Sequence, residues 1–462
     1  MVLNSLIYSY TLILLYSYTK QMNNTPRLVL NHILWRGLYF FSLLLLNICI
    51  ARFFAAEKSG QIFFIVNNLA LVLLITSLSL ESGSTYYIAS GNLSSSQMAG
   101  FCLIWSAAAA LIAFTVWFSV LYFSDSAYLN GTGFLLASFL FILGVLLTTF
   151  FTAMFYSKKK FAPPNKVLFL VNLFLILLLI IGKNHPFIKL YFVQIYFFCF
   201  FLQGLMIMLV FFINDPSSGR FKLPAKPLLK KVFQYSLAAL IANLIYFLVN
   251  RIDYWFVQYY CSAKDLGNYI QASKLAQMLF ILPGILGATL FPIFSSSNKS
   301  GYSTELTTVI RILFWINGAI CLLILSVGWY IIPLVFGASF NKMYLLFILL
   351  IPGILCVTMN YPMTSWFSAS NRIGINVRGS LLALTVICVG DIIALPRYGI
   401  RSASMVSSAG FFSYYCYTIY IYRKEYSVSW KDFLLIRKSD LKQIRQLVGK
   451  DIQEPSPENY IV

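Results

Sequence analysis

Between residues 33 and 422 apolar segments follow one another with hardly a polar interruption. They run approximately over 33–51, 61–80, 99–122, 133–155, 167–182, 189–213, 233–258, 266–294, 308–333, 343–368, 379–395 and 402–422. A helix crosses the hydrocarbon core of a bilayer in ~20 residues. Backbone inside that core must satisfy its own hydrogen bonds, so apolar runs of this length are helices rather than open strands. The expected fold class is therefore all-α: a polytopic membrane protein with about twelve transmembrane helices. Only 10% of the residues are charged, against ~25% in soluble proteins. No stretch is long and polar enough to fold as a soluble catalytic domain, which excludes a globular enzyme or a disordered binding protein.

The chain carries 34 Lys and Arg against 14 Asp and Glu. In a soluble protein that excess would suggest nucleic acid; in a membrane protein it reports orientation, and no nucleic-acid partner is expected. Of those bases 23 fall in one set of alternate connections and the termini, and 8 in the other set. Loops rich in Lys and Arg stay on the cytoplasmic side, so both termini are expected there. The connection between Glu81 and Gln97 has no positive charge and is the weakest support for this assignment.

The longest internal connection is polar and basic and follows the sixth span, dividing the chain into six plus six. The organisation read from this is an N-terminal extension at 1–27, a first lobe at 28–213, a basic linker at 214–231, a second lobe at 232–423 and a tail at 424–462. Met22 offers a second start. In the tail, Trp430, Phe433, Leu434, Leu441, Ile444 and Val448 recur at helical spacing among Lys and Arg, the pattern of an amphipathic helix on the inner membrane surface. Asn47 and Gly60 in the first half parallel Asn250 and Gly267 in the second, a weak repeat with a shift of a little over ~200 residues. Copies of six spans have the same topology and would be related by an axis along the membrane normal. The eight cysteines lie mostly within apolar runs, and His32 and His185 stand alone. No disulfide framework, metal site or cofactor follows from them.

An ionisable group inside a span is expensive and calls for a partner or a watery cavity. Arg36, Glu81, Arg251, Asp253, Lys274 and Asp391 are such groups. Counting ~1.5 Å per residue from the helix ends puts Arg251 and Lys274 at the same depth. Gln271, Lys274 and Gln277 recur every three residues, and Asn243, Asn250 and Tyr254 at spacings of seven and four, which places polar groups on one face of each helix. Either these two helices line a hydrated cationic cavity, or Asp253 pairs with Arg251 or Lys274 and pins them together. Arg36 reads as an interfacial anchor or a cavity residue. Glu81 ends its helix, solvated or paired with Arg36, and Asp391 reads as the partner of Arg397. Pro283-Gly284 and Pro352-Gly353 are expected to kink their helices.

The residues then carry a resemblance over most of the chain from Asn31 to Lys424. Trp35-Arg36-Gly37, Asn47 and the run from Ala51-Arg52 to Gly60 resemble the first helix pair of the Wzx-like polysaccharide flippases. That family belongs to the superfamily that also holds the multidrug and toxic-compound extruders and the lipid II flippases. Asn250 to Tyr254, Gly267-Asn268-Tyr269 and Phe291-Pro292 are similar to its seventh and eighth helices, and Pro396-Arg397-Tyr398-Gly399 to the approach to its last. Arg401-Ser402-Ala403 departs from the family's usual Gly-Ala-Ala.

The resemblance implies two six-helix lobes around a central cavity and alternating access, in a bacterial inner membrane. The cargo it implies is an anionic polyprenyl-pyrophosphate-linked oligosaccharide, such as an O-antigen (lipopolysaccharide), capsule or exopolysaccharide repeat unit, moved from the inner to the outer leaflet. Membrane lipids and a polysaccharide polymerase or assembly machinery are the partners it suggests. Such a cargo needs bases, amides and aromatic surfaces along its path. Arg36, Asn47, Asn68, Asn243, Asn250, Arg251, Gln271, Lys274 and Gln277 are the candidate substrate-binding residues. Asp253, Glu81 and Asp391 are the candidates for coupling to H+ or Na+.

The alternative of the same fold is a cation-coupled drug antiporter, which would want acids deep in the first lobe; the first helix and the segment 89–123 have none. A major-facilitator transporter lacks its Gly-Asp-Arg type loop here. A membrane-embedded glycan-processing enzyme would need positioned acid–base groups or a large outer loop, and the outer connections are short.

Overall fold

In the computed structural model the described residues are 26–123, 132–215, 223–284, 286–287, 303–426, 429 and 432–433. Residues 1–25 of the expected extension at 1–27, the centre of the basic linker, Phe291-Pro292 and all of the tail beyond Phe433 lie outside them. The first lobe contains α1 (Pro26–Ser77), α2 (Leu80–Ala89), α3 (Ser95–Phe123), α4 (Thr132–Ser157), α5 (Ala162–Ile181) and α6 (Pro186–Asn214). The second contains α7 (Lys226–Val249), α8 (Asp253–Tyr260), α9 (Ala263–Leu279), α10 (Ser303–Phe336), α11 (Met343–Ala369), α12 (Ile373–Tyr398) and α13 (Ile400–Tyr426).

Nine helices of the described residues are long and apolar enough to cross a membrane. One of these, Leu34–Ser77, has 44 residues, about twice the length a bilayer needs. It is two helices joined at Ala55, whose φ of 57° breaks the helical path. Adding α9 and α13, whose polar residues lower their hydropathy, restores the expected set of about twelve spans in two six-helix lobes.

Contacts between the connections define the two ends of the bundle. At the basic end Lys158 pairs with Asp215, which also accepts from Ser95 Oγ at 2.9 Å, and Arg372 pairs with Glu425. Arg311 is buried in α10 there and donates to the Asp432 carbonyl. Phe433 is fully buried beside it against Leu306, Ile310 and Tyr422. At the opposite end Lys342 pairs with Asp265 at 2.6 Å, and Arg52 Nη1 donates to the Leu334 carbonyl at 2.6 Å.

Lipid offers apolar side chains no gain on burial, so helices associate through close packing and small residues. Within the first lobe a Cβ on Gly204 of α6 would lie 2.2 Å from the Gly144 carbonyl oxygen of α4. Between the lobes, a Cβ on Gly60 would lie 2.7 Å from Gly267 Cα, and one on Gly267 would lie 1.8 Å from the Ala56 carbonyl oxygen. The repeat partners Gly60 and Gly267 thus meet where the lobes touch, at the end away from the basic connections. Ala56 N also donates to Ser339 Oγ at 3.0 Å, closing that end further.

Several spans are interrupted. The second span breaks at Leu78 and Ser79, both left-handed with φ of 52° and 50°, and resumes as α2. Glu81 therefore opens a new helical segment and is only 7% exposed, which removes the solvated helix end, one of the two readings its place in the sequence allowed. The seventh span breaks between α7 and α8 at residues 250–252, and the eighth at Phe280, ahead of the expected Pro283-Gly284 kink. By contrast α11 runs through both Pro352 and Pro362.

Candidate functional site

A cavity of about 760 Å³ lies between α1 and the second lobe. Its walls come from residues 40–47 of α1, 242–251 at the end of α7, 274–284 around the end of α9, and the halves of α11, α12 and α13 nearer the basic end. It runs from mid-depth toward the turn at Ser370–Arg372, while the Gly60–Gly267 contact seals the other end.

The interruption after α7 builds its apex. Arg251, 8% exposed, donates from Nη1 to Asn67 Oδ1 of the other lobe at 3.1 Å. Its guanidinium also lies over the rings of Phe247 and Tyr254, at 5.6 and 5.9 Å. Lys274, 5% exposed, donates from Nζ to Asn47 Oδ1 at 2.8 Å and sits 3.0 Å from the centre of the Phe63 ring. Both bases therefore reach from the second lobe to an amide of the first. The shift that relates Gly60 to Gly267 also relates Asn67 to Lys274, whereas Asn47 and Arg251 fall three residues short of it. Both bases line the cavity, and no acid among the described residues does. Gln277 Nε2 donates to the Asn250 carbonyl freed by the break, at 3.3 Å.

Of the residues singled out by sequence, Asn47, Asn243, Asn250, Arg251, Lys274 and Gln277 line the cavity, and Arg36, Asn68 and Gln271 do not. Arg36 lies within the first lobe, its guanidinium over Phe40 and Tyr156 at 5.6 and 5.8 Å. Asn68 is turned away, and its neighbour Asn67 makes the contact with Arg251. Gln271 is 2% exposed, and its Nε2 is buried without a hydrogen-bond partner. A three-residue spacing falls ~60° short of a turn, so Gln271 and Gln277 look out on different sides of α9. Tyr254 likewise faces inward, its hydroxyl donating to Ser273 Oγ at 3.0 Å.

The acids occupy other places. Asp253 makes an ion pair with neither Arg251 nor Lys274, so the pinning pair considered from sequence is absent. Its Oδ2 accepts from the Tyr269 hydroxyl and from Ser407 Oγ, the latter at 3.0 Å, while Oδ1 is buried without a partner. Asp391 is fully buried, and neither of its carboxyl oxygens has a hydrogen-bond partner, so the expected pairing with Arg397 is not formed. Asp253, Asp391, Tyr269 and Ser407 are all buried inside the second lobe, and none of them lines the cavity. Glu81 is apart from both in the first lobe, its Oε2 buried and unpartnered.

Sequence reasoning missed the wall opposite α1. Asn360, Tyr361, Thr364, Ser365 and Ser368 of α11, Asn376 and Ser380 of α12, Tyr246 of α7 and Tyr414 of α13 all line the cavity. The recurrence of Asn360, Thr364 and Ser368 every four residues was the available signal.

Comparison with known proteins agrees with this architecture. A family model described as polysaccharide biosynthesis protein matches residues 195–345. None of the curated protein sequences compared with this chain matches it. Among solved structures, the lipid II flippase MurJ in an inward closed conformation superposes with a TM-score of 0.65 at 15% identity, covering 92% of this chain and 94% of that one. An inward-facing MATE-family multidrug resistance transporter of the MOP superfamily gives 0.66 at 12% identity, covering 85% and 94%. A MOP superfamily transporter from Pyrococcus furiosus, described as having a binding pocket of reverse polarity, gives 0.59 at 11% identity, covering 86% and 95%. The resemblance read from the sequence is borne out: this chain is a multi-pass membrane protein with the fold of the MOP-superfamily transporters, and residues 195–345 carry the polysaccharide biosynthesis pattern.

Proposed function

We propose that this protein is a flippase that carries an anionic, lipid-linked oligosaccharide from the inner to the outer leaflet of a bacterial cytoplasmic membrane by alternating access. The observation that carries the reading is the pair Arg251 and Lys274. Two buried bases line the apex of a cavity with no acid among its described residues, and each donates to a neutral amide, Asn67 or Asn47, and sits against aromatic rings. Buried charge of one sign is costly unless an opposite charge joins it, and a pyrophosphate supplies two or so negative charges with oxygens suited to both donors.

With the basic end cytoplasmic, by the excess of Lys and Arg there, the cavity faces the leaflet in which such a cargo would be loaded. Exchange of the Gly60–Gly267 contact for a seal at the basic end would then release it outward. Asp253 and Asp391 are the proposed coupling site. Buried carboxyl groups that lack a basic partner call for a small cation, H+ or Na+, when they carry charge.

The same acids favour a second reading, a cation-coupled drug antiporter of this fold. The experiment that separates the two uses protein in liposomes with a fluorescent polyprenyl-pyrophosphate oligosaccharide. The flippase reading expects faster exposure of the glycan to an external glycosidase. No such exposure across several glycans, with small cations exported instead, would establish the antiporter.

A further inference from the structure

We infer that the cavity wall formed by α11, α12 and α13 is a subsite for the uncharged sugar part of the cargo, separate from the bases at the apex. This rests on reading the cavity as the site of a lipid-linked oligosaccharide. The cavity is divided by chemistry. Its α1 side presents Phe40, Phe41, Leu43 and Leu44 with Asn47, whereas the facing wall sets amides and hydroxyls among Val357, Ile373, Val377 and Phe411 and, among the described residues, carries neither acid nor base. A hydrocarbon chain has no use for these groups, and a pyrophosphate is drawn first to the charged donors at the apex. A saccharide suits them, because each ring offers hydroxyl groups at its edge and C–H bonds on its faces.

Part of the wall is ordered by hydrogen bonds among its own residues. Asn376 spends its amide hydrogens on the Thr364 carbonyl at 2.8 Å and on Ser368 Oγ at 2.9 Å. Its Oδ1 is left buried with no hydrogen-bond partner. An unused buried acceptor costs stability, and because Asn376 lines the cavity, a turn of its amide would offer Oδ1 to a sugar hydroxyl. Beside it the Tyr414 hydroxyl lies within reach of Asn360 and Ser380, and Thr418 Oγ1 holds Asn360 Oδ1 at 2.7 Å.

Flat apolar faces adjoin these groups. The rings of Phe280 and Tyr361 are 6.3 Å apart, those of Phe280 and Phe411 are 6.2 Å apart, and the Tyr246 and Tyr361 hydroxyls meet at 3.0 Å. Aromatic faces with a few placed polar groups are the usual make-up of a small-molecule site. Neutral amides and hydroxyls suit hexoses and N-acetylated hexosamines; a wall built for uronic acids would carry a base of its own.

The test measures binding to the full-length protein in nanodiscs. The probes are undecaprenyl pyrophosphate without sugar and the same carrier bearing each of a panel of neutral trisaccharides. The parent is expected to bind at least one glycosylated carrier more tightly than the bare one. Loss of one neutral hydrogen bond corresponds to about fivefold in affinity. Asn376→Ala is therefore expected to weaken the glycosylated carrier about fivefold while changing the bare carrier less than twofold, with Lys274→Ala weakening both. Should Asn376→Ala fail to give a monodisperse protein, Ser380→Ala decides by the same comparison. Equal weakening of both probes by the wall variants, or a parent without preference for any trisaccharide, overturns the inference and leaves the flippase reading standing. A parent that binds neither kind of carrier rejects that reading, and the inference with it.

Discussion

Lys274 of the second lobe donates to Asn47 of the first at 2.8 Å, so a base that faces the cavity also ties the lobes together. Arg251 and Asn67 repeat the arrangement at 3.1 Å. Cargo that drew either base away from its amide would loosen the contact that holds this conformation, a direct link between loading and lobe movement. Asn47→Leu combined with Asn67→Leu removes both acceptors. Hydrogen bonds to charged groups contribute about 1.5–3 kcal/mol each. The double variant should therefore shift the conformational equilibrium toward the opposite state by at least tenfold. Labelling of a cysteine placed at Ser368, on the cavity wall, should slow accordingly.

Gly267 has no room for a side chain, since its Cβ would lie 1.8 Å from the Ala56 carbonyl oxygen. Gly267→Val should wedge the sealed end apart while leaving each lobe folded, at an overpacking cost of about 1–3 kcal/mol. A cysteine at Ser59, buried in the native seal, should become reactive to an impermeant maleimide. Transport should fall at least tenfold.

Asp253 and Asp391 have no role in holding the bases, so their removal should separate coupling from binding. Asp253→Asn and Asp391→Asn are expected to retain carrier binding within about twofold while the rate loses its dependence on an imposed proton or sodium gradient. Each gradient is imposed in turn, and the one whose effect disappears identifies the ion. Carrier binding that collapses in both variants would return the two acids to a structural role.

Phe433 is fully buried against Leu306, Ile310 and Tyr422 at the basic end. Phe→Ala in such a setting costs about 3 kcal/mol. Phe433→Ala should therefore lower the thermal midpoint of the detergent-solubilised protein by several degrees, and Arg311→Ala, which frees the Asp432 carbonyl, should do the same.

The spans were legible because a bilayer demands about twenty apolar residues for each, and the bases because charge within an apolar run is conspicuous. Arg251 and Lys274 stood out for that reason, and equal depth brought them together before any packing was known. The breaks at Leu78-Ser79 and at Phe280 were not legible. They depend on packing, as where Gly83 of α2 approaches so near to α7 that a Cβ there would lie 2.3 Å from Ser236 Oγ. The wall of Asn360, Thr364, Ser368 and Asn376 was passed over because amides and hydroxyls are common in membrane helices and usually bond to the preceding turn, as Ser138 does to the Phe134 carbonyl. Asn67 was missed beside Asn68 because one residue of helix rotation decides which of two neighbours faces the other lobe.

The central claim is that the cavity binds an anion through Arg251 and Lys274. Its most direct measurement is the affinity of nanodisc-embedded protein for undecaprenyl pyrophosphate, compared among the parent, Arg251→Gln, Lys274→Gln and the double variant, at low and high salt. Each single variant should lose at least tenfold, and the double variant more, because each removes a charge-assisted contact of about 1.5–3 kcal/mol. The affinity of the parent should also fall less steeply with salt than expected for an exposed patch, since buried charges are poorly screened. Unchanged affinity in the folded double variant would contradict the account.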